Sequence, residues 1–255
     1  MKASVIKLPS LEIPTEIRDS YKFFPYFKDC IGALDGTHIM AIVPNDEEKC
    51  YRNRKGFLSQ NVLACCTFNM QFCYALVGWE GSAHNGCVLA NAYHKGFTVP
   101  HGKYYLGDAG YSLTSQVLTP FRGVRYHLKE WLAGNKRPTD AKELFNLRHS
   151  SLCNVIERIF GVTKNRFPLL VRMFAFPFSF QCELIISICT IHNFIRKHQT
   201  ELDVFDIVED LDDEVDNDSI DEVINEDQAE AELFRMNIAN QMWEDYQVYI
   251  TENNL

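Results

Sequence analysis

Apolar positions in this chain alternate or run together early and take up helical spacing later. Residues 30–43 are apolar on both sides of Asp35-Gly36 (Ile31, Ala33, Leu34, then Ile39, Met40, Ile42) and read as strand on either side of that dipeptide. Residues 60–68 and 72–79 (QNVLACCTF and FCYALVGW) are β-branched, aromatic or apolar, and the link Asn69-Met70-Gln71 predicts an antiparallel hairpin. Residues 85–95 predict a short helix. Residues 103–108 (KYYLGD) predict a strand with Tyr104, Leu106 and Asp108 on one face. Glycine and proline mark 110–138 as loop. Residues 139–166 carry the strongest helical pattern: Thr139 or Asp140 serves as cap, Glu143 stands at capping-box spacing from Asp140, and a kink or break near 148–151 stays open. Residues 181–198 (Leu184, Ile185, Ile188, Ile191) and 229–250 (Leu233, Ile238, Met242, Trp243, Tyr246) predict two more helices. Residues 1–25 form an irregular lead-in punctuated by Pro9, Pro14 and Pro25. Strand, hairpin, helix, strand, long helix, helix is the order of an α/β or α+β layered fold.

Charge changes this picture in one respect. The net charge is −9, but the first 200 residues hold 24 basic and 15 acidic side chains and the rest hold 1 and 19. A basic body with an acidic tail is a pointer to polyanion binding, although a soluble protein with a solvated tail explains it as simply. Residues 199–228 contain no Lys or Arg and are expected to be a disordered acidic linker. The 9 cysteines include no CxxC pair, which argues against a structural zinc site and for a reducing compartment. No apolar run approaches the ~20 residues of a membrane span, so no membrane association is expected.

Three acids stand in unusual surroundings. Asp35 lies between apolar flanks, where a buried carboxylate is costly unless paired or metal-bound; a hairpin turn at Asp-Gly is the plain alternative. Asp108 closes a strand between Gly107 and Gly110, and a local turn accounts for it equally well. Glu157 falls off the apolar stripe Leu152, Val155, Ile156, Ile159, Phe160 and joins Asn154, Gly161 and Lys164 on a polar one; an ordinary exposed glutamate has the same signature. Clustered carboxylates repel and would hold protons unless a cation offsets them. Mg²⁺ or Mn²⁺ favours such oxygen ligands, and two such ions can promote phosphodiester cleavage. Arg148, His149, Arg158, Lys164 and Arg166 make the same helix basic, as a DNA-contacting face would be, or merely a solubilising one.

Longer segments carry a resemblance: FKDCIGALDGTHI, YRNRKGFLSQNVLACC, GWEGSAHN, KYYLGDAGY, LTPFRGVRYHLKEW, ELFNLRHSSLCNVIERIFG, KNRFPLL and IHNFIR. Through these the chain resembles the PIF/Harbinger superfamily of DDE transposases, in particular the plant members and the Harbinger transposase-derived nucleases. The 48 residues between Asp108 and Glu157 are similar to that family's spacing. The resemblance implies an RNase H-like mixed sheet flanked by helices, spanning 26–198, with a C-terminal helix over 229–255. It implies that Asp35, Asp108 and Glu157 bind Mg²⁺ or Mn²⁺ and cut DNA in the nucleus. It also implies a further metal ligand at the position held here by Asn85, which offers a neutral oxygen instead of a charge. Fuller members carry a helix-turn-helix region, for which the 34 residues before Asp35 leave no room. A separate Myb-like DNA-binding protein is the expected partner; the oligomeric state is left open. The alternative is a domesticated or decayed, catalytically inactive nuclear protein acting through protein partners.

Overall fold

The structure is a computed structural model that describes residues 5–126, 137–172, 175–198 and 226–253. Five strands, β1 (Cys30–Met40), β2 (Ser59–Cys66), β3 (Phe72–Glu80), β4 (Tyr104–Leu106) and β5 (Val117–Leu118), form a mixed sheet in the order β3-β2-β1-β4-β5. With its flanking helices this is an RNase H-like α/β fold. The helices used below are α1 (Thr15–Arg18), α2 (Glu48–Tyr51), α3 (Asn85–His94), α4 (Ala141–Arg166), α5 (Phe178–His198) and α6 (Glu226–Glu252). The expected acidic linker lies outside the described residues up to 225; residues 226–228 are already helical. The chain divides into two compact units. The first holds Met1–Pro9, Gly32–Thr98 and Val155–Glu214; the second holds Ser10–Ile31, Val99–Asn154 and Val215–Leu255. Strand β1 and helix α4 each contribute residues to both.

In the first unit, β1 pairs antiparallel with β2 in unbroken register from Ala33↔Cys66 to Met40↔Ser59. The Asp-Gly pair makes no turn: Asp35 faces Ala64 and Gly36 faces Leu63 across the ladder. The turn signal loses because its flanks are apolar and fully paired. The predicted β2–β3 hairpin forms, closed by Met70 at φ 61. Helix α5 is long and apolar enough to cross a membrane by length and composition, against the expectation above. Here it serves as a core helix, because its buried polar side chains bond the hairpin and the segment just after β1. Asn193 accepts from the Phe72 N–H and donates to its carbonyl, both at 2.7 Å. His192 meets the Met70 carbonyl at 3.0 Å, and Gln181 bonds both backbone groups of Ile42.

In the second unit, β4 and β5 run parallel, and the two-residue β5 falls inside the stretch expected to be loop. Helix α4 starts as the cap pattern implied: the Glu143 N–H donates to Asp140 Oδ1 at 2.9 Å. Thr139 completes the return bond, its N–H donating to Glu143 Oε2 at 2.8 Å. No break occurs at 148–151, because Phe145, Leu152 and Ile156 keep one continuous buried stripe. Asn146 grips Phe121 as Asn193 grips Phe72, accepting from its N–H at 2.8 Å and donating to its carbonyl at 3.0 Å. The C-terminal α6 is held on this unit by Arg235, which donates to the Thr119 and Pro120 carbonyls and stacks 4.2 Å over Phe121.

Candidate active site

Within the first unit, β1 and α4 set the stage. Side chains alternate along a strand, so Asp35 and Thr37 leave β1 on one face and Gly36 and His38 on the other. Lys164 Nζ donates to Thr37 Oγ1 at 2.7 Å, which brings α4 onto the Asp35 face. Glu157, Gly161 and Lys164 share one stripe of that helix, two turns or about 10 Å long. The contact at Thr37 ties this end of α4 to β1 two residues from Asp35, and Glu157, two turns back along the helix, is exposed. Gly161 is buried, and a side chain there would thicken the helix in the middle of this stripe. The Asp35 carboxylate is half-buried and its Oδ1 accepts from the Gly36 N–H at 2.6 Å. Sequence reasoning missed Thr37; its place two residues after Asp35 on a strand was the available signal.

Asn85, expected near a metal, opens α3 on the opposite face. A Cβ added to Gly36 would stand 2.4 Å from Asn85 Oδ1. Asn61 holds that oxygen through its Nδ2 at 3.0 Å and donates also to the Ala83 carbonyl at 3.0 Å. Residue 36 is glycine because the amide occupies its side-chain space. Asn85 thus braces the backbone behind Asp35, and it does not stand on the Asp35–Thr37 face.

In the second unit, Asp108 lies two residues past β4. Its Oδ1 accepts from the Gly110 N–H at 3.0 Å, a local turn of the Asx kind, and the Tyr111 N–H reaches its carbonyl at 3.3 Å. Tyr105 and Gly107 donate to the Gln116 and Leu118 carbonyls, which fixes the end of β4 from which the Asp108 loop departs.

The five residues expected to contact DNA divide. Arg158 is exposed; Lys164 is half-buried on Thr37; Arg166 is half-buried at the end of α4. Arg148 stacks 5.1 Å over the Tyr26 ring, whose hydroxyl donates to Asp245 at 2.6 Å, so this arginine ties α4 to Tyr26 and through it to α6. Burial, with the Asp245 bond, raises the Tyr26 pKa. His149 does not reach the surface. It is fully buried, its Nε2–H donates to the Leu118 carbonyl at 2.9 Å, and its Nδ1 has no hydrogen-bond partner. Desolvation lowers its pKa to about 4, so the ring is neutral at physiological pH. Among the described residues no group of three or more His, Cys, Asp or Glu side chains forms a ready metal centre. Carboxylates such as Asp35 and Glu157 are the oxygen donors that Mg²⁺ and Mn²⁺ take.

Comparison with known proteins gives this geometry a setting. A protein of Homo sapiens named "Putative nuclease HARBI1" is 26% identical over 202 residues, covering 76% of this chain and 54% of the relative. Its Bos taurus counterpart of the same name is 27% identical over 188 residues, covering 71% and 50%. An Arabidopsis thaliana protein named "Protein ALP1-like" is 26% identical over 202 residues, covering 71% and 46%. The chain spans about half the length of the curated relatives it matches. No solved structure matches it. The family model described as DDE superfamily endonuclease matches residues 34–193, from the residue before Asp35 to the Asn193 that grips Phe72. With more than half its length so matched, the chain belongs to the DDE superfamily endonucleases.

Proposed function

We propose that this protein is a divalent-metal-dependent DNA nuclease in which Asp35, Asp108 and Glu157 together supply the metal ligands. The observation that carries the reading is the Lys164–Thr37 bond, which ties the helix bearing Glu157 to the strand bearing Asp35. Family membership supports the reaction class. Mg²⁺ or Mn²⁺ bound by these carboxylates would supply Lewis acidity toward the phosphodiester and neutralise the charge that develops on its oxygens. The chain's residues have separate tasks. Asp35 and Glu157 hold charge on rigid elements, Asp108 holds it on a loop, and Lys164 keeps a cation close to the Asp35 face. Asn61 and Asn85 brace the backbone at Gly36 so that Asp35 keeps its direction. A nuclear location and a Myb-like partner that selects the DNA belong to the same proposal.

The test is incubation of the full chain with supercoiled plasmid DNA and Mg²⁺ or Mn²⁺. Nicking or linearisation that disappears in Asp35→Asn, Asp108→Asn and Glu157→Gln supports the nuclease. A folded protein that cuts with neither metal supports instead the non-catalytic reading, in which the fold serves partner binding.

A further inference from the structure

The turn before β2 is built to hold positive charge at a fixed place. Residues 52–58 close on an isolated antiparallel bridge between Arg52 and Leu58. Buried Asn53 organises the turn: its N–H donates to the Phe57 carbonyl at 3.0 Å, its carbonyl accepts from Gly56 at 2.9 Å, and its Oδ1 accepts from the Phe57 N–H at 3.2 Å. Gly56 takes φ +85, the left-handed conformation the turn requires. Arg52 is used inside the structure, donating to the Gly56 carbonyl at 2.7 Å and pairing with Glu48 at 3.4 Å. Arg54 and Lys55 stand exposed at the tip. Arg54 Nη2 comes within 3.4 Å of Nδ1 of His84, an exposed residue. The next residue, Asn85, packs against Gly36 behind Asp35. A continuous chain of contacts therefore runs from the Arg54 guanidinium through His84 and Asn85 to the Gly36 backbone behind Asp35.

Two adjacent cations on a stiffened turn, with the His84 imidazole beside them, match a polyanion backbone: the turn fixes where the two cations leave the chain, and a guanidinium can take a phosphate through two N–H groups. The first turn of α3, at the same spot, carries no acidic residue to oppose an anion. We propose that Arg54, Lys55 and His84 form a phosphate-contacting site that grips the backbone of a DNA strand. The choice of DNA as the polyanion rests on the nuclease reading above.

The experiment is fluorescence anisotropy of the full chain with a short labelled DNA duplex in EDTA, across a range of salt concentrations. The R54A/K55A variant should bind about ten-fold more weakly, and its plot of log affinity against log salt should flatten by about 2, one for each lost phosphate contact. Lys95→Ala, at the other end of α3, should bind as the wild type does. Equal affinity and slope in R54A/K55A and wild type would overturn the site, as would equal weakening in Lys95→Ala or no DNA binding by the wild type. A thermal melt of R54A/K55A that matches the wild type keeps misfolding out of the comparison. Cleavage separates the two ideas. Arg54-dependent binding without metal-dependent cutting sinks the nuclease and leaves this site standing. Cutting with unchanged R54A/K55A binding does the reverse.

Discussion

Asp35 and Asp108 belong to different units and are held by opposite means. Asp35 sits in the middle of an eleven-residue strand, its neighbours paired on the β2 side without a register shift, its backbone braced from behind by the Asn61–Asn85 amide pair. Asp108 follows a three-residue strand, and its carboxylate accepts from the Gly110 N–H of its own turn. The first carboxylate inherits its direction from the sheet; the second stands on a loop. Each unit also locks a helix to a backbone edge in the same way, Asn193 on Phe72 in the first and Asn146 on Phe121 in the second.

The contrast is open to attack at several points. The largest effect is expected on cleavage. Loss of one ligand carboxylate removes several kcal/mol of transition-state stabilisation, at least ~100-fold in rate. Asp108→Asn is the informative version, because its amide oxygen still accepts the Gly110 N–H. Plasmid nicking should fall by that factor while the melting temperature stays put, and a parallel loss of both would show that Asp108 matters through its turn alone. Next come the asparagine latches. Asn193→Ala and Asn146→Ala each strand a buried N–H and carbonyl, and each should cost about 2–4 kcal/mol in urea unfolding. A cost below about 1 kcal/mol in either would mean that its latch is dispensable.

His149 supplies a test confined to the second unit. Its pKa falls from an ordinary 6.5 to about 4 in the folded protein. The unfolded chain therefore binds the extra proton first, and stability is lost as pH drops from about 6.5 to about 4. The loss attributable to this ring is at most roughly 3 kcal/mol. Urea unfolding of His149→Phe should show a correspondingly flatter acid limb; an unchanged limb would contradict the assignment. The smallest effect concerns the brace behind Asp35. Gly36→Ala places a methyl group against a pinned amide and should cost about 1–2 kcal/mol. In Gly36→Ala/Asn85→Ala that penalty should be largely relieved, whereas simple additivity would disprove the contact.

Much of this arrangement was legible in the chain, for reasons that differ by element. The hairpin and the three long helices announce themselves because their apolar periods are long and uninterrupted. Strand β5 escaped because Val117-Leu118 is too short to show a period, and its pairing with β4 is a tertiary matter. The Asp35-Gly36 step carried a turn signal that only the facing strand β2 could overrule. His149 was misread as part of a basic face, although it stands at helical spacing between Phe145 and Leu152 on the buried stripe. That spacing was visible, and the cationic neighbour Arg148 outweighed it. Asn85 read as a damaged ligand because sequence alone cannot tell which face of β1 it covers; the space above Gly36 decides that. The asparagine latches could not be foreseen, since an asparagine on a helix has no periodicity that marks its partner.

The account stands on three carboxylates acting as one cation site, and direct titration of Mn²⁺ followed by electron paramagnetic resonance tests it without relying on cleavage. The wild-type chain should take up Mn²⁺, and Asp35→Asn, Asp108→Asn and Glu157→Gln should each weaken uptake at least about ten-fold. Asn85→Ala should leave it near the wild-type level. Undiminished Mn²⁺ uptake in any one of the three carboxylate variants would contradict the shared site.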